Sequence, residues 1–200
     1  MAVPDLGHWE PLSVTATVDT LSGAPFPWWL CGGHALELHL GRTWRNHDDT
    51  DVGIARQDVF ALRSILGDWD IHVAAAGHLE PWTGDELHAA RHQNNLWCRR
   101  DVDGPWLLDV TIGEGDDEVW IYRRDPSIQF QWTDAVLRSP RGVPYLAPEL
   151  QLLFKSKDRR EKDDIDAAEV IPQLEIGRRD RLALLLPSEH PWQNLIAGSS

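Results

Sequence analysis

The chain has 200 residues, with 32 acidic and 19 basic side chains and a formal charge of −13 at pH 7. Recognition of nucleic acid depends largely on Lys and Arg that neutralise phosphates, so this charge makes nucleic acid an unlikely partner and suits a small cationic one. No apolar run approaches the roughly 20 residues that span a bilayer, and the N-terminus lacks a basic patch before a hydrophobic segment. We therefore expect a soluble, cytoplasmic protein with no membrane partner. Cys31 and Cys98 lie in apolar stretches and are expected to be buried, reduced thiols.

Helices and strands alternate in the first part of the chain. Helical spacing of Val59, Leu62 and Ile65 predicts a helix after Arg56, and Asn95 begins one of several short apolar runs typical of strands. Helices are predicted over residues 11–22, from residue 32 and after residue 56, and strands over residues 26–31, 51–54, 69–73, 95–99, 106–112 and 119–122. This pattern predicts an α+β protein with a mixed β-sheet and flanking helices.

The pattern changes to helices beyond residues 141–144. Pro148 is well placed at a helix start, and Leu150, Leu153 and Phe154 form an apolar stripe behind it. The charged run over 155–166 is helical in character, an apolar stretch over 182–186 stops at a proline, and a last short helix opens at residues 191–192. We expect a catalytic domain over 1–140 and a smaller C-terminal helical lobe over 141–200.

Two aspartates, Asp49 and Asp51, follow a pair of glycines, Gly32 and Gly33, at a distance that suggests a metal site. Residues two apart on a strand present side chains to one face, and two adjacent carboxylates are stable mainly when a hard divalent ion such as magnesium lies between them. The glycines let the backbone approach a polyanion, and the amides of a helix starting there would face phosphate oxygens. An Asp-x-Asp pair alone is more often a surface turn, but the glycines and the elements over 40–42 and 45–47 favour the metal site.

Residues 28–56 resemble the nucleotidyltransferase superfamily that includes DNA polymerase beta. The closer likeness is to the branch of aminoglycoside 2''-adenylyltransferases and lincosamide nucleotidyltransferases. That branch has Gly-Gly, a short helix, Leu-Gly-Arg, a basic residue, His and Asp-x-Asp, and each element is present here. The resemblance implies a nucleotidyltransferase core, two Mg2+ ions, ATP as the donor and AMP as the transferred group.

A third carboxylate is needed for two-metal nucleotidyl transfer, and Asp109 is our choice. It interrupts the apolar strand over 106–112, where an unpaired charge is expensive unless it faces a partner such as a metal ion. The resemblance supports this choice, because the branch places an acidic residue on the corresponding strand. The alternatives are an Asp at a strand edge satisfied by a turn, and Asp70 as a reserve candidate. The predicted catalytic and metal-binding set is Asp49, Asp51 and Asp109, with Asp109 also a candidate general base.

Positive charge is needed for the triphosphate. Helical spacing places Lys155, Arg159 and Lys162 roughly on one face, and Lys155 is the first choice because it follows a buried pair. A solvated face with internal pairs such as Arg159 with Asp163 is the alternative, and His47 could equally cap a turn. The predicted nucleotide-binding set is Gly32, Gly33, Arg42, Arg45, His47 and Lys155.

The predicted function is transfer of a nucleoside monophosphate from a nucleoside triphosphate to a hydroxyl of a small acceptor, such as an aminoglycoside-like sugar, in antibiotic resistance. Acidic groups at 85–86 and 114–118 could hold ammonium groups of that acceptor or lie in plain solvent-facing loops. Three alternatives stay open: an enzyme that modifies tRNA or a partner protein in a toxin system, a non-catalytic nucleotide-binding relative, and a housekeeping enzyme acting on a metabolite. The sequence does not specify the donor base, the acceptor or the oligomeric state.

Overall fold

The computed structural model describes residues 6–198, and its centre is a mixed sheet. The ten strands found in those residues are Trp28–Leu30 (β1), Asp51–Ala55 (β2), Asp70–Ala75 (β3), His78–Pro81 (β4), Asn95–Arg99 (β5), Leu108–Gly115 (β6), Val119–Ile121 (β7), Gln129–Gln131 (β8), Val136–Arg138 (β9) and Pro144–Leu146 (β10). The sheet order is β4-β3-β5-β6-β2-β1-β10-β9, and β7 extends from β6 and pairs with β8. The pairs β1 with β10 and β2 with β6 are parallel, and the other pairs are antiparallel.

Helices cover both faces of this sheet. The α-helices within the described residues are Val14–Leu21 (α1), Gly32–Leu40 (α2), Leu62–Leu66 (α3), Trp132–Ala135 (α4), Pro148–Ser156 (α5), Glu161–Val170 (α6), Ile176–Leu185 (α7) and Trp192–Ala197 (α8), with short 3-10 turns at Arg56–Ala61, Ala89–Arg91 and Ile171–Gln173. The predicted α+β class with a mixed sheet is therefore confirmed. No helix within residues 6–198 is both long and apolar enough to cross a membrane.

The sheet separates two hydrophobic cores. Strand residues such as Val52 and Val110 pack with Leu62 of α3 in the first core. On the other side, Trp29 packs with Leu150 of α5 in a second core that includes the C-terminal helices. Because side chains alternate along a strand, the residues between those of the first core lie on the opposite face of the sheet. Asp51 and Asp109 are among them, since each is followed by a buried core residue.

Most predicted elements are present with shifted ends, and two differences matter for the site. The charged run is not one helix, because α5 ends at Ser156 and α6 begins at Glu161. Four strands were not predicted, namely β4, β8, β9 and β10. Strand β10 lies in the segment assigned to the C-terminal lobe but pairs with β1, through Tyr145 and Leu30. The division at residue 140 stays a prediction. Both cysteines are buried and free, as predicted.

Candidate active site

Two of the three predicted carboxylates lie side by side on neighbouring parallel strands. Asp51 of β2 is the direct partner of Asp109 of β6 in the register, and neighbouring strands lie about 4.8 Å apart. Asp49 precedes β2, and its charge acts on both. The structure therefore brings Asp49, Asp51 and Asp109 to one end of the β2–β6 pair.

Burial and mutual repulsion disfavour the charged form of these groups. Burial, followed by the charges of Asp109 and Asp49, raises the pKa of Asp51 well above its usual range. Burial and the Asp49 charge raise the pKa of Asp109 to about 6, against the opposing effect of hydrogen bonds from Asn95 and Trp97. A divalent cation would relieve this repulsion.

Asp109 is held in place by two side chains of the adjacent strand β5. Asn95 Nδ2 donates to Asp109 Oδ1 at 2.7 Å, and Trp97 Nε1 donates to Oδ2 at 3.1 Å. Each carboxylate oxygen thus has a donor that fixes its direction and leaves acceptor capacity for a further ligand. Sequence analysis identified Asp109 but not the positioning residues Asn95 and Trp97. The signal available in the sequence was their spacing, because residues two apart on a strand present their side chains to one face.

The glycine pair is required for close packing around the carboxylates. A Cβ on Gly32, whose φ is +65°, would lie 2.2 Å from Asp51 Oδ2, and the Gly32 amide donates to Gln151 Oε1 at 2.9 Å. A Cβ on Gly33 would lie 2.0 Å from His47 Cε1 and 2.5 Å from Arg45 Nη2. The structure therefore explains both glycines by steric contact with site residues, and their contact with phosphate stays a prediction.

A cavity of about 440 Å³ opens beside Asp51 and Gly32. Asn95 and Gln151, which hold Asp109 and Gly32, also line it. Its cationic lining residues are Arg123, Arg124, Lys155, Lys157 and Arg160. Besides Asp51, the lining also has three acidic side chains, Glu114, Asp158 and Asp163. The five cations beside the half-buried Asp51 are of the kind that a metal-bound polyphosphate requires.

Lys155, the first choice among the predicted cations, lines this cavity but is paired within the protein. Its Nζ lies 2.8 Å from Asp163 Oδ1 and 3.0 Å from Asp166 Oδ2, both on α6. Asp166 also accepts from Arg45 Nε and Nη2 at 2.8 Å each and from Trp44 Nε1 at 3.0 Å. This buried network connects α5, α6 and the loop before β2.

We predict that Asp166→Asn lowers the free energy of unfolding by about 3 kcal/mol, because it leaves the buried Lys155 and the half-buried Arg45 incompletely paired. The matched control is Glu169→Gln on the same helix, which removes an exposed pair with Arg42 and should cost less than about 1 kcal/mol. Urea denaturation of the two variants measures the difference. Equal stability losses would show that the buried network does not anchor α6.

The other predicted cations lie elsewhere. Arg42 is exposed, pairs with Glu169 and lies 5.4 Å from the Trp44 ring centroid. Arg42, Arg45 and His47 line a second cavity of about 660 Å³ and not the one beside Asp51. Of the six residues predicted to bind nucleotide, Gly32 and Lys155 border the cavity of Asp51.

The predicted cationic helix face is wrong, because the chain leaves the helix after Ser156. Arg159 lies in the link between α5 and α6 and pairs with Asp164 at 2.8 Å, while Lys162 of α6 reaches Asp48 at 3.3 Å. The reserve candidate Asp70 pairs with its register partner Arg99 at 2.7 Å. Asp70 is on β3 and Arg99 on β5, so both lie on the side of β6 away from β2. Asp70 is therefore a structural ion-pair residue.

Arg123 is a site residue that sequence analysis missed. It lines the cavity, its Nη1 is buried without a hydrogen-bond partner, and its charge acts on both Asp109 and Cys31. Burial, and then the neighbouring charge of Arg124, lowers its pKa from the ordinary arginine value. An unsatisfied guanidinium N–H in a cavity is suited to an anionic ligand. The signal in the sequence was the Arg123-Arg124 pair directly after a predicted strand.

Comparison with known proteins agrees with this geometry. Residues 13–76 match the family model described as aminoglycoside-2''-adenylyltransferase. The structure of the lincosamide antibiotic adenylyltransferase LnuA, lincomycin-bound, superposes with a TM-score of 0.53 at 20% identity, covering 78% of this chain and 95% of that one. The solution structure of the antibiotic-resistance factor ANT(2'')-Ia superposes with a TM-score of 0.55 at 16% identity, covering 92% of this chain and 94% of that one.

The chain has a nucleotidyltransferase fold. The resemblance inferred from residues 28–56 is confirmed by a family match that contains that segment, and the two solved structures share the fold. No curated protein sequence matches the chain significantly. The matched segment spans α1, α2 and β2 and contains Gly32, Asp49 and Asp51.

Proposed function

We propose that the protein transfers a nucleoside monophosphate from a nucleoside triphosphate to a hydroxyl of a small-molecule acceptor. The observation that carries this proposal is the meeting of Asp49, Asp51 and Asp109 at one end of the β2–β6 pair, where Asp51 lines a cavity that also has five cationic side chains. The carboxylates suit divalent metal ions, and the cations suit the triphosphate. The nucleotidyltransferase fold and the family match support the same reaction class.

The carboxylates fit magnesium by their chemistry. They offer hard oxygen ligands, their mutual repulsion disfavours the metal-free charged state, and Gly32 leaves open the space beside Asp51 Oδ2 that a Cβ would fill. Asp49, Asp51 and Asp109 would hold two Mg2+ ions. Bound there, magnesium would lower the pKa of the acceptor hydroxyl and neutralise charge on the departing pyrophosphate.

The protein's own residues then bind, orient and deprotonate. Asn95 and Trp97 fix the direction of the Asp109 carboxylate, which accepts the hydroxyl proton as general base once the acceptor lies within hydrogen-bond reach. Arg123 donates its unsatisfied Nη1–H to a phosphate oxygen. Lys155 adds charge at the same cavity while Asp163 and Asp166 hold its position.

We further propose ATP as the donor and an amino-sugar or lincosamide-like antibiotic as the acceptor, and hence a role in antibiotic resistance. The match to the aminoglycoside-2''-adenylyltransferase family and the likeness to a lincosamide antibiotic adenylyltransferase and an antibiotic-resistance factor support this class of acceptor. The net charge of −13 would favour approach of a cationic sugar over that of a nucleic acid.

Pyrophosphate release from each of the four nucleoside triphosphates tests the proposal. We expect release that requires magnesium, one preferred donor and one acceptor class from a panel of aminoglycosides, lincosamides and simple amino sugars. The Asp109→Asn variant, assayed in parallel, should release none. If nucleotide binds but no member of the panel gives pyrophosphate release, transfer to a small acceptor of these classes would be contradicted.

We predict that Arg123→Met raises the KM for the nucleoside triphosphate about 10-fold, the value of one charge-assisted hydrogen bond. The matched control is Arg138→Met on β9, since Arg138 is exposed and donates to Gly142 O outside the cavity. Initial-rate kinetics with varied nucleotide measure the effect. Identical KM values for the two variants would remove Arg123 from the nucleotide site.

A further inference from the structure

Three side chains at the start of α2 and in the loop before β2 bring metal-ligating atoms together. Within residues 6–198, one group of three potential metal ligands is found, and it consists of His34, Glu37 and His47. Their ligand atoms all lie within 4.8 Å of one another. We call these three residues the trio. His34 Nδ1 lies 3.8 Å from Glu37 Oε2, and His47 Nε2 lies 3.0 Å from Glu37 Oε1. Ligand atoms around a tetrahedral zinc ion lie about 3.3 Å apart, since each bond is about 2.0–2.1 Å long.

One nitrogen of the trio has no hydrogen-bond partner inside the protein, although the Trp44 amide donates to Glu37 Oε1 at 3.2 Å. His47 Nε2 is buried, yet its approach to Glu37 does not have hydrogen-bond geometry, so this nitrogen has no hydrogen-bond partner. The rings of His34 and His47 face each other with their centroids 4.1 Å apart and their planes inclined at 43°. A cation shared by the two imidazoles and the carboxylate satisfies the buried nitrogen.

The protonation of His34 agrees with a ligand role. Burial, and then the facing His47, lowers the pKa of His34 to about 4, so its imidazole is neutral at pH 7 and offers a lone pair. Both imidazoles and the carboxylate also border the 660 Å³ cavity, which leaves a path for an ion and room for a fourth ligand such as water.

We infer that His34, Glu37 and His47 form a site for a divalent transition metal of the zinc class, distinct from the carboxylates at the nucleotide cavity. Two imidazoles and one carboxylate suit zinc far better than magnesium, which takes oxygen ligands. Glu37 and His34 are on α2, whereas His47 is two residues before Asp49. The ion therefore links the helix to the loop that carries Asp49, and it positions that loop rather than taking part in the transfer.

Metal retention by the full, untagged chain tests the site. After equilibration with zinc and gel filtration, we expect about one zinc per chain in the wild type. The His34→Phe variant should lose it, because phenylalanine keeps an aromatic ring against His47 but offers no lone pair. The matched control is His39→Phe on the same helix, whose ring contacts Tyr145 and lies outside the trio, and it should retain the metal.

Two further measurements identify the site and exclude unfolding. Cobalt added in place of zinc should give visible absorption typical of nitrogen ligation in the wild type and in Asp51→Asn, but not in His34→Phe. Zinc should also raise the melting temperature of the wild type and of Asp51→Asn, with the metal-free His34→Phe variant melting cooperatively. Retention of zinc by His34→Phe, loss of zinc from Asp51→Asn, or no zinc in the wild type would each overturn the inference. These results are independent of pyrophosphate release, which tests the proposed function separately.

Discussion

Asp51→Asn is expected to lower nucleotidyl transfer by at least about 10³-fold while the protein stays folded. The substitution replaces a charged oxygen ligand with a neutral amide at the carboxylate that lines the nucleotide cavity. Its melting temperature should equal or exceed that of the wild type, because burial and the charges of Asp109 and Asp49 penalise ionised Asp51. Pyrophosphate release and thermal denaturation, each with and without magnesium, measure the two effects.

The matched control is Asp48→Asn. Asp48 is exposed, lies in the loop directly before β2 and makes an ion pair at 3.3 Å with Lys162. Its substitution should change transfer less than about 3-fold, the scale of a weak surface ion pair. Wild-type turnover by Asp51→Asn would show that the assigned carboxylate set is wrong. Equal losses for both variants would point to general electrostatics rather than to metal binding.

Gly32→Ala is expected to lower transfer by about 100-fold or more, because the new Cβ would lie 2.2 Å from Asp51 Oδ2 and must displace that carboxylate. The φ of +65° adds a backbone penalty of about 1 kcal/mol for a residue with a Cβ. Steady-state kinetics and urea denaturation together separate the loss of transfer from the loss of stability.

Gly41→Ala provides the control for backbone strain. Gly41 ends α2 with a φ of +67°, close to that of Gly32, but a Cβ there would meet nothing within 4 Å. This variant should lose about 1 kcal/mol of stability and keep its transfer rate. If Gly32→Ala were as active as Gly41→Ala, close packing against Asp51 would not be the reason for a glycine at position 32.

Local patterns were enough to predict the elements that carry the carboxylates. The helix at the glycine pair, the strand with Asp51 and the strand with Asp109 follow from short-range periodicity and from a charge that interrupts an apolar run. The direct register of Asp51 with Asp109 could not be predicted, because it depends on a parallel pairing between strands distant in sequence. Strands β8, β9 and β10 were missed for a related reason, since each has three residues and is defined by its partners.

Long-range pairing also decides which cations face the cavity. Arg42, Arg45 and His47 are near Asp49 in sequence, but α2 and its following loop place them at the second cavity. Arg123 reaches the first cavity from the end of β7, which pairs with β6. Helical spacing failed for Arg159 because α5 ends at Ser156, a break with no proline or glycine to mark it.

The most direct test of the central claim is the mass of the acceptor after incubation with magnesium and each nucleoside triphosphate. We expect one acceptor class to gain the mass of a nucleoside monophosphate, in step with pyrophosphate release, and we expect neither product with Asp51→Asn. Pyrophosphate release with an unchanged acceptor and a nucleotide attached to protein or RNA would contradict a small-molecule acceptor. Full modification of the acceptor by Asp51→Asn would contradict the assignment of the site.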